Sequence, residues 1–411
     1  MQLREWNETK RAPSDQTAGA VSRSNEVANQ LEMRLDQLQQ RLFMLFSSYH
    51  NYTTFSNIQH LQQENGKYES IEAIHNAIHS SVGQRGHMDY IMYSAFDPIF
   101  FLHHANVDRL VAMWQALNPS SWVMPLPASA ATFTTNVGEI QDANTDLKPF
   151  YTSGGQFWNS ELSQDTRSFG YVYDDTVNVS LTRQSDTEAL EELKRVINEK
   201  YGQSSPSASI VLQPRLRARD LTTDTEMAEK FRKDAVANDR FIPSLSSHGF
   251  FSNPPFSAIL KKGNRYTEWI ANIKIQSKDI DRPMSILFFI GDVPDDHKSW
   301  KDSPNVAGSF GVFSMAAASN PTAHITGTLP LTSALTKMVA AGFVHSMDPE
   351  DMSLYLEHNL KFRVLDANHE IVDLGRTGGL SITIASASVK APSKNTGLPE
   401  WDNLVERFTL M

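Results

Sequence analysis

The sequence predicts an α+β protein: a helical front half followed by a β-rich back that closes as an antiparallel sandwich. Three observations carry this. Apolar residues recur at helical spacing between residues 25 and 117, whereas beyond about 240 they alternate with polar ones at period two. The hydrophobic fraction is 40% and the aromatic fraction 10% over 411 residues, enough for two or three cores.

Residues 25–46 read as the first helix, because Leu31, Leu35, Leu38, Leu42 and Leu45 recur at alternating steps of four and three. The seam is short for a coiled coil and runs into Phe43, Phe46, Tyr49 and Tyr52, so it is assigned to the core. Ile71, Ile74 and Ile78 mark a short helix over 70–80. Val107, Leu110, Val111 and Trp114 mark another over about 103–117, closed by Asn118-Pro119. The chain is loop-rich from 120 to 180. Leu190, Leu193, Val196 and Ile197 give an amphipathic helix over 187–201, ended by Gly202. Residues 202–209, rich in Ser, form the expected linker, open to proteolysis. Strands are expected at 269–275, 285–290, 360–364 and 380–389, separated by Gly, Pro and Asn. The expected domains are 1–180, a 181–240 helix and linker, and a β-rich 241–411. No internal repeat is visible.

Composition narrows the chemistry. Thirty-seven Lys+Arg against 47 Asp+Glu give a net charge of −10, with no basic run for phosphates, so neither nucleic acid nor a membrane surface is an expected partner. No apolar stretch approaches signal-peptide or membrane-span character, which makes a cytoplasmic location the expectation. The absence of cysteine excludes disulfides, thiolate metal sites and cysteine nucleophiles. A metal here must be held by nitrogen or oxygen.

Of 13 histidines, His75 and His79 stand at i and i+4, so both imidazoles leave one helix face and can reach one ion. His103 and His104 follow on a helix far enough along the chain to cross back with a third. Three neutral imidazoles without thiolate suit copper, zinc, iron or nickel. Taken alone, His-x-x-x-His is as well read as ordinary helix surface.

The context is more specific. Asp97-Pro98-Ile99-Phe100-Phe101-Leu102-His103-His104-Ala105-Asn106-Val107-Asp108-Arg109 closely resembles the copper-B signature of the type 3 copper proteins: tyrosinases, catechol oxidases and haemocyanins. Glu72-Ala73-Ile74-His75-Asn76-Ala77-Ile78-His79 resembles the first half of that signature, and Gly86-His87-Met88 resembles fungal members. Tyr171-Val172-Tyr173 looks like the element that closes the fungal catalytic domain. Residues 265–269, 288–292 and 326–331 look like the family's C-terminal covering domain.

The resemblance implies a tyrosinase-like helical half-bundle followed by the sandwich, with copper held by His75, His79 and His104. It leaves His103 in the core or behind the ligands. It implies that Asp108 orients the helix or an imidazole, with an ion pair to Arg109 as the alternative. Glu72 and Asn76 would hold a water that takes the phenol proton, and Phe100 or Phe101 would pack beside the imidazoles. Phe313, or else Phe310, would plug the substrate entrance, with a buried strand position as the alternative. The implied reaction is o-hydroxylation of monophenols and oxidation of o-diphenols to o-quinones with O2, feeding melanin or another phenolic pigment. The family site needs two coppers, and the copper-A ligands are not seen, since His50 and His60 lack the family context. A Cys-x-x-Cys associated with copper loading is also absent. The expectation is therefore an N-terminally incomplete tyrosinase; the alternative is a silent half-site protein that partners a complete paralogue or forms a homo-oligomer.

Overall fold

The computed structural model describes residues 5–58, 66–128, 131–207, 259–276, 284–312, 324–366, 370–373 and 379–411. Helix α1 spans Ser24–Ser48, and only its second half enters the core. Leu42, Phe43, Met44, Leu45 and Phe46 are buried, whereas Leu35 is half exposed. The leucine repeat therefore overstates the apolar face of the first half. A short α2 (Tyr52–Ser56) follows, its N-terminus capped by the Asn51 side chain on Thr53 N.

Helix α3 (Ile71–Gly83) begins at Ser70, whose Oγ accepts from Ala73 N. Its start is pinned to α1. Arg41 donates to both oxygens of Glu69, at 2.6 and 3.0 Å, with both side chains buried. Glu69 N donates to the Tyr49 hydroxyl, and Trp114 Nε1 donates to Tyr49 O. One residue thus ties α1 to the helices before and behind the site.

After α3 the chain turns through Gln84 and Arg85, both at positive φ, into a 3-10 turn at His87–Asp89 and the short α4 (Ile91–Ser94). Two glycines permit this. A Cβ on Gly86 would lie 2.0 Å from Lys10 O, and one on Gly83 would lie 2.4 Å from Asp89 N. Helix α5 spans Ile99–Leu117, four residues earlier than the expected start at 103. Asp97 and Pro98 are the signals that place it there: the Asp97 carboxylate accepts from Ile99 N, and Pro is suited to a helix beginning. Leu110, Met113 and Trp114 anchor α5 in the same core as α1, with Trp114 stacked on Phe55 at 4.1 Å.

Strands β1 (Leu126–Pro127) and β2 (Ile140–Gln141) form a small hairpin in the loop-rich stretch. Helix α6 (Thr187–Tyr201) packs into the helical core through Leu193 and Ile197. The expected linker follows; of its described residues, Gly202, Ser205, Pro206 and Ser207 are buried and Gln203 is exposed.

The back half is a sandwich of two antiparallel sheets. One has the order β10-β8-β3-β6, with β9 also on β8, from β3 (Arg265–Gln276), β6 (His324–Pro330), β8 (Leu380–Lys390), β9 (Glu400–Trp401) and β10 (Val405–Thr409). The other is β5-β4-β7, from β4 (Met284–Ile290), β5 (Val306–Val312) and β7 (Leu360–Asp366). Their inner faces meet through Ile273, Ile286, Phe288, Ile382 and Ile384. Helices α7 (Thr332–Ala340) and α8 (Pro349–Asn359), which periodicity did not suggest, cover it through Leu335, Met352 and Leu356.

The front and back halves share a packed boundary. Gln37 Nε2 donates to Ser309 O and Gln37 Oε1 accepts from Ser309 N, so α1 completes the edge of β5. Ile270 and Ala385 of the larger sheet belong to the helical core.

Candidate metal centre

Helices α3 and α5 bring His75, His79, His103 and His104 together, with one ring nitrogen of each within 4.8 Å of the others. His104 Nε2 lies 2.9 Å from His75 Nε2 and 3.3 Å from His79 Nε2. The three histidines that the resemblance implies as ligands therefore converge through the same ring atom. His103 joins them rather than turning away: its ring lies nearly parallel to that of His75, with centroids 5.0 Å apart.

The far nitrogens of two of these histidines are fixed from behind. His79 Nδ1 faces Met88 O at 2.8 Å, and His75 Nδ1 faces Asn76 Oδ1 at 2.9 Å. Both partners are acceptors, so each imidazole carries its proton on Nδ1 and keeps the Nε2 lone pair free. The turn made possible by Gly83 and Gly86 is what delivers the Met88 carbonyl.

Burial keeps the rings neutral. It pushes His79 down to about 4, against a smaller opposing effect of the Met88 carbonyl, and His103 down to about 3. His75 and His104 are lowered for the same reason. Four neutral imidazoles with lone pairs at short range form a donor set suited to copper or zinc, so these residues fit such an ion. Among the described residues this is the one group of three or more such side chains within reach of an ion.

Phe100 packs beside the cluster, its ring 3.9 Å from His104 and 6.1 Å from His79, while Phe101 is exposed. The Glu72 carboxylate accepts from Ile58 N at 3.0 Å, and burial raises its pKa. Asn76 and Glu72 share a face of α3 but are engaged separately, one with His75 and the other with Ile58. Asp108 holds α5 through hydrogen bonds, as one of the two expected roles has it, but its partners are neither an imidazole nor Arg109. Its Oδ2 accepts from the hydroxyls of Tyr171 at 2.8 Å and Tyr173 at 2.6 Å, while Arg109 pairs with Asp175. The carboxylate fastens the Tyr-x-Tyr element to α5; the aromatic hydroxyls, more than 60 residues away, were the signal that local spacing could not give.

His50 is engaged with Asn118 at 3.0 Å, and His60 lies outside the described residues. Phe313 also lies outside them. Phe310 is a buried β5 residue of the sandwich core beneath the Arg41 guanidinium, the strand position given as the alternative. Ile91, Met92, Phe96, Phe101 and Leu102, on α4, the next turn and the start of α5, are half or more exposed.

The class these features define is a helical protein with a histidine cluster able to hold a metal ion, backed by a β-sandwich C-terminal half. Comparison with known proteins agrees. Residues 2–117 match the common central domain of tyrosinase, and 268–384 match the tyrosinase C-terminal domain. The chain belongs to the tyrosinase family.

It is 29% identical to a tyrosinase of Neurospora crassa over 93% of this chain and 64% of that protein. Identity to a tyrosinase of Podospora anserina is 31%, over 81% of this chain and 61% of the relative. The chain thus spans just under two thirds of these relatives. Hemocyanin 1 of Megathura crenulata shares 42% identity over 116 residues. The fold matches recombinant mushroom tyrosinase with a TM-score of 0.67 at 22% identity, covering 97% of this chain and 67% of that one.

Proposed function

We propose that this chain is a copper-dependent oxidase of phenols, converting monophenols to o-diphenols and these to o-quinones with O2. The observation that carries the reading is the convergence of His75, His79 and His104 through Nε2 within the matched central domain. Bound copper would supply O2 binding and the accompanying electron transfer. His75, His79 and His104 would hold one copper, and a second would need ligands beyond this cluster.

The chain's own residues supply the rest. Asn76 and the Met88 carbonyl hold the ligand tautomers. Phe100 walls the cluster with an apolar ring that orients an aromatic substrate and excludes water. Glu72, its carboxyl raised by burial, is suited to take the phenolic proton, since a base poised nearer neutrality transfers protons more effectively. The quinone products would feed melanin or a similar pigment.

The test is O2 uptake by copper-loaded protein with a monophenol and an o-diphenol. Uptake with both, and a larger loss on the monophenol in Glu72→Gln, is the expected result. Equal losses on both substrates would remove the proposed role of Glu72. Copper binding without turnover of either phenol would assign the chain to copper binding without oxidase activity.

A further inference from the structure

We propose that Arg11 is a positioning residue for the histidine cluster. With Lys10 and Ala12 it forms a strap that ties the end of α3 to the start of α5, and so sets how the histidines of the two helices meet. The proposal deepens the reading of the cluster as a copper seat and rests on it.

The strap holds α3 through its backbone. Lys10 N donates to His87 Nδ1 and His87 N donates to Lys10 O, both at 3.0 Å, while Ala12 N donates to Gly83 O at 2.9 Å. These bonds bracket the turn that delivers the Met88 carbonyl to His79. Lys10 O can come this close only because Gly86 has no Cβ.

The strap holds α5 through one side chain. Arg11 Nε and Nη2 donate to the two oxygens of Asp97 at 2.7 and 2.6 Å. The Asp97 side chain is 0% exposed, and that of Arg11 33%. Asp97 Oδ1 also accepts from Ile99 N, the first amide of α5, so a single oxygen joins Arg11 to the helix start. Ile99 stands about 7.5 Å of helix before His104. Burial alone would raise the Asp97 carboxyl, but its hydrogen bonds to Arg11 and Ile99 N help to outweigh this and hold it below its ordinary range.

The second observation is independent. Ala12 has φ of 41°, in the left-handed region that residues with a side chain rarely adopt and keep only where their surroundings impose it. It is fully buried in one apolar cluster with Val82 and Met88 from the α3 side and with Ile99 and Phe100 of α5. Arg23 Nε donates to its carbonyl at 2.9 Å. Arg11 and Ala12 thus grip the same two elements, one by charge and the other by packing. Without Arg11, the Asp97 charge is stranded in the interior, a cost that moving the start of α5 toward water relieves. Such a movement changes the approach of His104 to His75 and His79, now 2.9 and 3.3 Å.

The experiment adds copper(II) chloride to the metal-free full chain. Competitive chelation reads the affinity, and electron paramagnetic resonance reads the geometry at the ion. The wild type is compared with Arg11→Gln, Arg11→Lys and the double variant Arg11→Gln/Asp97→Asn, with circular dichroism to check folding. Copper binding about tenfold weaker and an altered hyperfine splitting in Arg11→Gln is the expected result. Arg11→Lys, which keeps the charge without the two-pronged geometry, should recover part of both. A lowered unfolding midpoint with wild-type affinity and spectrum in folded Arg11→Gln would make the residue structural only and overturn the proposal. Where Arg11→Gln fails to fold, the double variant, which strands no charge, decides by the same two readings. A wild type that binds no copper would overturn the reading of the cluster and this proposal with it.

Discussion

At the scale of residues, the histidine cluster depends on hydrogen bonds made on the far side of its rings. Asn76 Oδ1 fixes the His75 tautomer, so Asn76→Leu should lower copper affinity by about 10–100-fold without unfolding the chain. An unchanged dissociation constant by competitive chelation would contradict this. The pH dependence follows from the depressed imidazoles. His79 is lowered from 6.5 to about 4, so between these values the unfolded chain binds more protons than the folded one. Stability of the metal-free protein should therefore fall as pH drops from about 6.5 toward 4, and copper should be released at the acid end of that window as protons compete for Nε2. Denaturation midpoints flat across the window would refute this. The signature motif made His75, His79 and His104 legible. The partners of Asp108 were not, because they come from another element, the Tyr171 and Tyr173 hydroxyls.

At the scale of elements, the site is held by how α3 is attached. The fully buried Arg41–Glu69 pair locks its start to α1, and Glu69 Oε1 also accepts from Ser70 N. Replacing one partner strands the other charge in the core, so Glu69→Gln should cost about 3–5 kcal/mol in urea unfolding. A loss within the range of ordinary surface substitutions, about 0.5 kcal/mol, would show that the pair is not structural. Periodicity located α1, α3 and α6 because their apolar faces repeat regularly. It misplaced the start of α5, whose first turn carries Phe101 and Leu102 toward solvent and so breaks the amphipathic pattern. It missed α7 and α8, which are short and pack on a sheet whose position no local window contains.

At the scale of the molecule, the helical front and the sandwich are interlocked. Gln37 bonds the edge of β5, Trp401 Nε1 donates to Ser47 Oγ, and Asn272 Nδ2 donates to Gly66 O. Far-ultraviolet dichroism and tryptophan fluorescence should therefore follow one coincident unfolding transition. Two separated transitions would mean that the halves are independent. Alternation along single strands revealed the sandwich, but the packed interface was not legible. It joins residues such as Gln37 and Ser309, 272 positions apart, whose pairing leaves no trace in composition.

The central claim is that α3 and α5 hold copper through these histidines. Anomalous diffraction at the copper edge, on crystals of the copper-loaded chain, tests it most directly. The account predicts a peak bonded to Nε2 of His75, His79 and His104. A peak elsewhere, or none at this cluster in copper-saturated protein, would contradict it.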